Sequence, residues 1–184
     1  QAKQAFGLLN PAPVEVESAA SSVKTAEHLA LSRELAQKSI TLLRDPQGLL
    51  PLNINSDLLI VEPAAVRDLT QLLDLNATIL AVDPQPSNAQ SAAVVHAASN
   101  GRAVVMLLND LNINSKQLKL AQELVEAGNP VIAILHRNPF DAALLPPTVT
   151  ALVSYGFNPP TRQAITAALT GQLQPSGVLP VTLP

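Results

Sequence analysis

Residues 103–137, AVVMLLNDLNINSKQLKLAQELVEAGNPVIAILHR, carry the pattern that decides the fold. Two short apolar runs, AVVMLLND (103–110) and VIAILHR (131–137), flank a stretch with a different period. In that stretch Leu118, Ala121, Leu124 and Val125 recur at helical spacing, and Gly128 supplies the stop. Asn114 and Gln117 stand three apart at its start, the spacing of a capping box. The flanking runs are nearly continuous rather than alternating, which suits strands covered on both faces, as in a parallel sheet. Strand, helix and strand in this order make one βαβ unit.

The same unit repeats outward along the chain. Apolar runs recur at DLLIVEP (57–63), ATILAVD (77–83) and VTALVSYG (149–156), and SITLLRD (39–45) gives a further short strand ended by Asp45-Pro46 and Gly48. Helical stretches are expected over 23–39, about 65–74, 87–98, 115–127 and 160–170. The first rests on Val23, Ala26, Leu29, Ala30, Ala36 and Ile40. Such alternation predicts an α/β protein: a three-layer α/β/α sandwich with a mostly parallel, flavodoxin-like sheet. Residues 23–184 are read as this domain. Residues 1–22 are read as a short helical end and a linker, because Pro11 and Pro13 break a helix and ESAASS (17–22) is small and polar.

The last stretch, GQLQPSGVLPVTLP (171–184), has three prolines and no charge. Gly171 is expected to cap the preceding helix and Pro175-Ser176-Gly177 to make a turn. Pro180 bars the end from a central strand, since proline cannot donate to the ladder. The segment is therefore expected to run extended along the domain's surface or edge with its apolar side chains packed.

Composition narrows the function. At 184 residues the chain is one domain with room for a core. A net charge of −3 argues against nucleic-acid binding, which needs a concentrated basic surface. No run approaches the roughly 20 apolar residues of a membrane span, and no basic amphipathic stretch suggests a membrane surface. Without cysteine there is neither a disulfide framework nor a thiolate metal site, and the compartment stays open. The three histidines, His28, His96 and His136, lack metal-ligand spacing, so no metal is expected. No GxGxxG or GxxxxGK[ST] cradles a phosphate, and no cofactor is expected. A GxSxG nucleophile elbow is missing too.

Ligands of open parallel sheets bind at the carboxyl ends of the strands. Those ends carry Glu62, Asp83, Asn109, Asp110, His136, Arg137, Ser154 and Tyr155, all types that also serve as turn and cap residues. Glu123 and Glu126 lie three apart on one helix, a solvated face rather than a paired carboxylate site.

Four stretches together resemble the C-terminal domain of glycoside hydrolase family 3 enzymes, especially the β-N-acetylglucosaminidase (β-N-acetylhexosaminidase) type. They are LSRELAQKSITLLRDPQGLLPL (31–52), VIAILHRNPFDAALLP (131–146), ALVSYGFNPPTRQAITAALTG (151–171) and the closing PSGVLPVTLP. In the second, Phe140 stands where the family has Tyr. QAKQAFGLL (1–9) is similar to the tail of the family's preceding barrel. The resemblance implies retaining hydrolysis of terminal β-linked N-acetylglucosamine by a bacterial enzyme, with an N-terminal catalytic barrel and an N-acetylglucosamine-containing glycan as partners. It also implies that the nucleophilic Asp and the acid/base His–Asp pair lie on that barrel, which takes about 250 residues. No Glu here matches the acid/base Glu that other branches place in the sheet domain. No catalytic residue is therefore assigned to this chain, which is expected to be inactive alone. Arg137, Asn138, Tyr155 and His136 are the candidates for a substrate-cleft edge or domain interface. The alternatives are a stand-alone small-molecule binding module and a structural or dimerisation domain of the same fold.

Overall fold

The computed structural model describes residues 1–9, 16–53, 55–64 and 77–183. Its helices are α1 (Ala2–Ala5), α2 (Val16–Ser22), α3 (Ala26–Ser39), α4 (Asn88–Ala97), α5 (Ser115–Glu126) and α6 (Pro159–Leu169). The strands are β1 (Thr41–Arg44), β2 (Leu58–Pro63), β3 (Ala77–Val82), β4 (Ala103–Leu108), β5 (Val131–Leu135) and β6 (Thr150–Val153). They form one sheet in the order β1-β6-β5-β4-β2-β3. Only β1 is antiparallel to its neighbour. Numbered by themselves, the five parallel strands run 2-1-3-4-5, the flavodoxin-like order.

The continuous apolar runs are what the sheet requires. Leu59, Val61, Val104, Met106, Leu108, Ala133 and Leu135 pack on one face with Val94 of α4 and Leu120, Ala121 and Leu124 of α5. Leu58, Ile60, Val105, Leu107, Ile132, Ile134 and Leu152 pack on the other with Ala36 of α3 and Ala164, Ile165 and Ala168 of α6. Register aligns these layers across the sheet, with Ile60 beside Val105 and Met106 beside Ala133. Each fully buried Leu or Ile contributes about 1.5–3 kcal/mol relative to an exposed one.

Helix starts follow side-chain chemistry. Thr25 accepts the His28 amide at 3.2 Å, and Asn158 accepts the Thr161 amide at 3.0 Å behind Pro159 and Pro160. Ser87 and Gln90 form a reciprocal capping box. The box expected from Asn114 and Gln117 does not form, since Asn114 makes no side-chain cap bond. Gln117 is instead buried, accepting the Asn109 amide and donating to the Pro84 carbonyl, so it ties the β3 and β4 loops together. Gly128 ends α5 at φ +84°, as its position predicts.

Two other expectations are corrected. Part of the stretch read as a linker is helical, as α2. The apolar positions of α3 do not all face inward: Ala36 and Ile40 are buried, but Val23, Ala26, Leu29 and Ala30 are exposed. The helix expected at 65–74 lies outside the described residues.

β1 is held by charge as well as by its ladder. The Arg44 guanidinium donates to the carbonyls of Ala142, Leu145, Pro146 and Val149, all on the β5–β6 connection. Asp45 accepts the Leu49 and Leu50 amides and the Thr150 hydroxyl, at 2.9, 3.0 and 2.7 Å. Burial works against the Asp45 carboxylate, but the bonds from Thr150, Leu49, Leu50 and Gly48 outweigh it and hold its pKa below the ordinary value. DPQGLLP is thus an anchor for the edge strand.

The closing segment lies against that edge. Gly171 takes φ +76° after α6, and the Gly177 amide donates to the Ile40 carbonyl at 2.9 Å. Leu173 and Leu183 pack against the two cores. Val178 does not pack as expected, being 85% exposed, and Val181 is exposed as well. A Cβ at Gly177 would stand 2.4 Å from the Thr41 hydroxyl and 2.5 Å from the Ser39 carbonyl. Gly177→Ala should therefore cost about 1–3 kcal/mol in urea unfolding, the usual cost of overpacking. Val178→Ser should change stability by less than about 0.5 kcal/mol, as exposed substitutions do. Equal effects would show that the segment is not seated on β1.

Candidate functional site

The carboxyl ends of β4, β5 and β6 lie side by side and carry three of the four candidate positions directly. Arg137 follows β5 and is exposed; its guanidinium reaches the Asp110 carboxylate, beyond β4, at 3.4 Å. The Asn109 amide group donates to the same oxygen at 3.3 Å. Asp110 takes φ +49°, a conformation few non-glycine residues adopt.

His136 does not reach into a cleft. It is buried, its ring 4.9 Å from that of Phe157. Burial and the neighbouring Arg137 push its pKa down, against the attraction of Asp110 and a bond involving Ile134, so the ring is held neutral. Asn138 is a turn-setting residue: its side chain accepts the Phe140 amide at 3.1 Å and starts the 3-10 turn Pro139–Ala143. Tyr155 takes φ +54° at the end of β6, and its hydroxyl lies 3.3 Å from that of Thr41. It faces β1 and α3 rather than Arg137. The structure thus divides the four into two places, Arg137, His136 and Asn138 near the β4–β5 ends and Tyr155 beyond β6.

Tyr155 lines a groove of about 470 Å³ with Leu31 and Leu35 of α3, Ser39 and Asn158. Leu31 and Leu35 are more than half exposed, so the outer face of α3 stays apolar. His28 and Thr161 also line the groove, which holds no pair of carboxylates. Among the described residues no cluster of three His, Cys, Asp or Glu is placed to hold a metal.

Asp141 escaped the sequence reading. It is fully buried in the 3-10 turn, where Oδ1 accepts the Leu111 amide at 3.1 Å and the Asn138 amide group at 3.5 Å. A signal was available, since a polar residue in a proline-started turn is a capping type, but its burial depends on β4 lying beside β5. Thr41, the Tyr155 partner, is 114 residues away in sequence and had no local signal.

Several solved structures share this fold. A glycoside hydrolase family 3 β-N-acetylglucosaminidase from Paenibacillus sp. str. FPU-7 superposes with a TM-score of 0.79 and 25% identity, covering 98% of this chain and 37% of that one. A fungal multi-domain family 3 β-N-acetylglucosaminidase with a GCN5-related glucosamine N-acetyltransferase region gives 0.73 and 18%, covering 93% and 20%. A β-glucosidase from Listeria innocua, in complex with isofagomine, gives 0.68 and 18%, covering 83% and 26%. This chain spans well under half the length of each. No protein-family model and no curated protein matches it by sequence.

Because His136 is held below its ordinary pKa of 6.5, its stabilising contribution is complete above that value and is lost as pH falls through the folded pKa. Thermal unfolding should show a loss of stability starting below about pH 6.5, and His136→Gln should remove that part of the pH dependence. An unchanged profile in the variant would show that the ring is not held neutral.

Proposed function

We propose that this chain, which has the α/β fold of the C-terminal domain of glycoside hydrolase family 3 enzymes, serves a retaining β-N-acetylglucosaminidase as the domain that packs on its catalytic barrel. The observation that carries the reading is the superposition on the Paenibacillus enzyme over 98% of this chain. The likeness of 31–52, 131–146 and 151–171 to the family's stretches supports it from the sequence side. In this reading residues 1–22 lead from the barrel and 23–184 form the sandwich.

The chain carries no catalytic pair in this proposal. Retaining hydrolysis takes two carboxyl groups about 5–5.5 Å apart around one sugar, or an equivalent nucleophile and acid/base set. Asp110 is engaged by Arg137, and Asp141 is enclosed. Arg137, exposed at the strand ends, is the residue best placed to edge a glycan site on the barrel. Tyr155 and the apolar groove beside it are assigned to the barrel contact, with Asn138 and His136 shaping the backbone behind Arg137.

The chain alone should give no hydrolysis of an aryl β-N-acetylglucosaminide above background, whereas the barrel-linked protein should hydrolyse it in preference to an aryl β-glucoside. Turnover by the isolated chain, or the opposite preference in the linked protein, overturns the assignment. In the linked protein Arg137→Ala should raise KM about fivefold, near 1 kcal/mol, at unchanged thermal stability. Altered stability with unchanged kinetics would remove Arg137 from the cleft edge.

A further inference from the structure

We propose that Asn100, at the tip of the turn joining α4 to β4, is a site of spontaneous modification: attack by the Gly101 nitrogen expels its side-chain amide and leaves an isoaspartyl or aspartyl residue. The backbone explains why this pair stands there. Asn100 and Gly101 take φ +69° and +72°. Two successive positive φ values mark a type I′ turn, which asparagine followed by glycine suits best. Asn100 is the only asparagine of the chain that precedes a glycine.

The tip is open to reaction. Both residues are exposed, and neither makes a hydrogen bond among the described residues. An added Cβ at Gly101 would meet no atom within 4 Å, so the peptide between the two residues has room to turn its nitrogen toward Asn100 Cγ. Glycine carries no side chain to obstruct that rotation. The two ends of the turn, by contrast, are tied. The buried Asn129 side chain donates to the carbonyls of Ala98 and Arg102, the latter at 3.0 Å. The freedom is local to the two residues that react.

Other asparagines lack this combination. Asn129, Asn138 and Asn158 precede proline, whose nitrogen has no proton to lose. Asn55 precedes Ser56, whose amide donates to the Asn53 carbonyl at 2.9 Å. The Asn114 side chain donates to the Asn109 carbonyl at 2.8 Å.

The chemistry balances with water as the sole co-reactant. Base removes the Gly101 amide proton and the nitrogen bonds to Asn100 Cγ. The Cγ–Nδ2 bond breaks, and ammonia leaves with a proton returned by the solvent. The cyclic succinimide then takes up one water. Opening at the main-chain carbonyl gives isoaspartate, with an extra carbon in the backbone and a free α-carboxylate; opening at Cγ gives aspartate. Nothing is oxidised or reduced, and either product adds a negative charge to a chain whose net charge is already −3. The turn precedes β4, at the opposite end of that strand from Asp110 and its partner Arg137, so the inference does not rest on the glycosidase reading.

The test follows the whole folded chain over days in mildly alkaline buffer. Trypsin releases the peptide ending at Arg102, and its fragment masses locate any amide-to-acid exchange. Residue 100 should convert before every other asparagine, at a rate proportional to hydroxide. An isoaspartyl methyltransferase with labelled S-adenosylmethionine should label the aged chain and not the fresh one. Asn100→Gly, which tolerates the positive φ, should abolish the label. In the urea-unfolded chain, where turn strain plays no part, Gly101→Ala should slow conversion roughly tenfold, because a Cβ crowds the attacking nitrogen. Earlier conversion at another asparagine, a label that survives Asn100→Gly, a rate unmoved by Gly101→Ala, or reaction at residue 100 only after unfolding each overturns the proposal.

Discussion

Every residue of β2, β5 and β6 is buried, and β4 buries all but Ala103. The rest of the structure follows from that constraint. A sheet dry on both faces has little room for polar side chains within its strands, Glu62 near the end of β2 and Thr150 at the start of β6 being buried ones, so the polar chemistry collects where the strands end. It must also be covered by two helical layers, which α4 and α5 supply on one face and α3 and α6 on the other. Asn109, Asp110, His136 and Arg137 come together because the register of β4 and β5 brings their carboxyl ends level, while Ser154 and Tyr155 follow β6 and line the separate groove beside α3.

The edge of the sheet is the weak point of such a design, since an open strand invites pairing with another chain. Here the antiparallel β1 caps β6, and Arg44 and Asp45 fasten it from both sides. The terminal segment then crosses the start of β1 through the Gly177 amide. At the other edge, Arg102 pairs with Asp57 and donates to Thr78 at 2.6 Å and to the Ala97 carbonyl, joining β3 to α4. Both edges are secured by arginines whose partners are far apart in sequence.

The polar ends themselves are uneven. Arg137 and Asp110 meet solvent, whereas His136 and Asp141 are enclosed directly behind them. The exposed pair therefore rests on a buried layer whose protonation is biased toward the uncharged forms, His136 downward and Asp141 upward. On the opposite flank, α3 turns leucines outward beside Tyr155. A helix that packed only on its own sheet would have no use for that stripe.

Much of this was legible in the chain before any fold. Apolar runs of strand length, separated by helix-period stretches, determined the α/β class and the parallel sheet. Gly128 and Gly171 marked helix ends because both take positive φ, which glycine alone adopts without strain. The strand-end location of Arg137 and Tyr155 was equally local information. Tertiary structure alone decided which of these residues meet. Asn114 and Gln117 had capping spacing, yet Gln117 went to the Asn109 amide of its own leading loop and to the Pro84 carbonyl after β3, which only the tertiary fold brings within reach. His136 and Arg137 are adjacent in sequence and look alike there, but one is enclosed by Phe157 and the other faces water. Periodicity records what a residue's own backbone does. Burial, charge pairing and the state of a proton depend on side chains delivered from other strands, and no single stretch of sequence contains them.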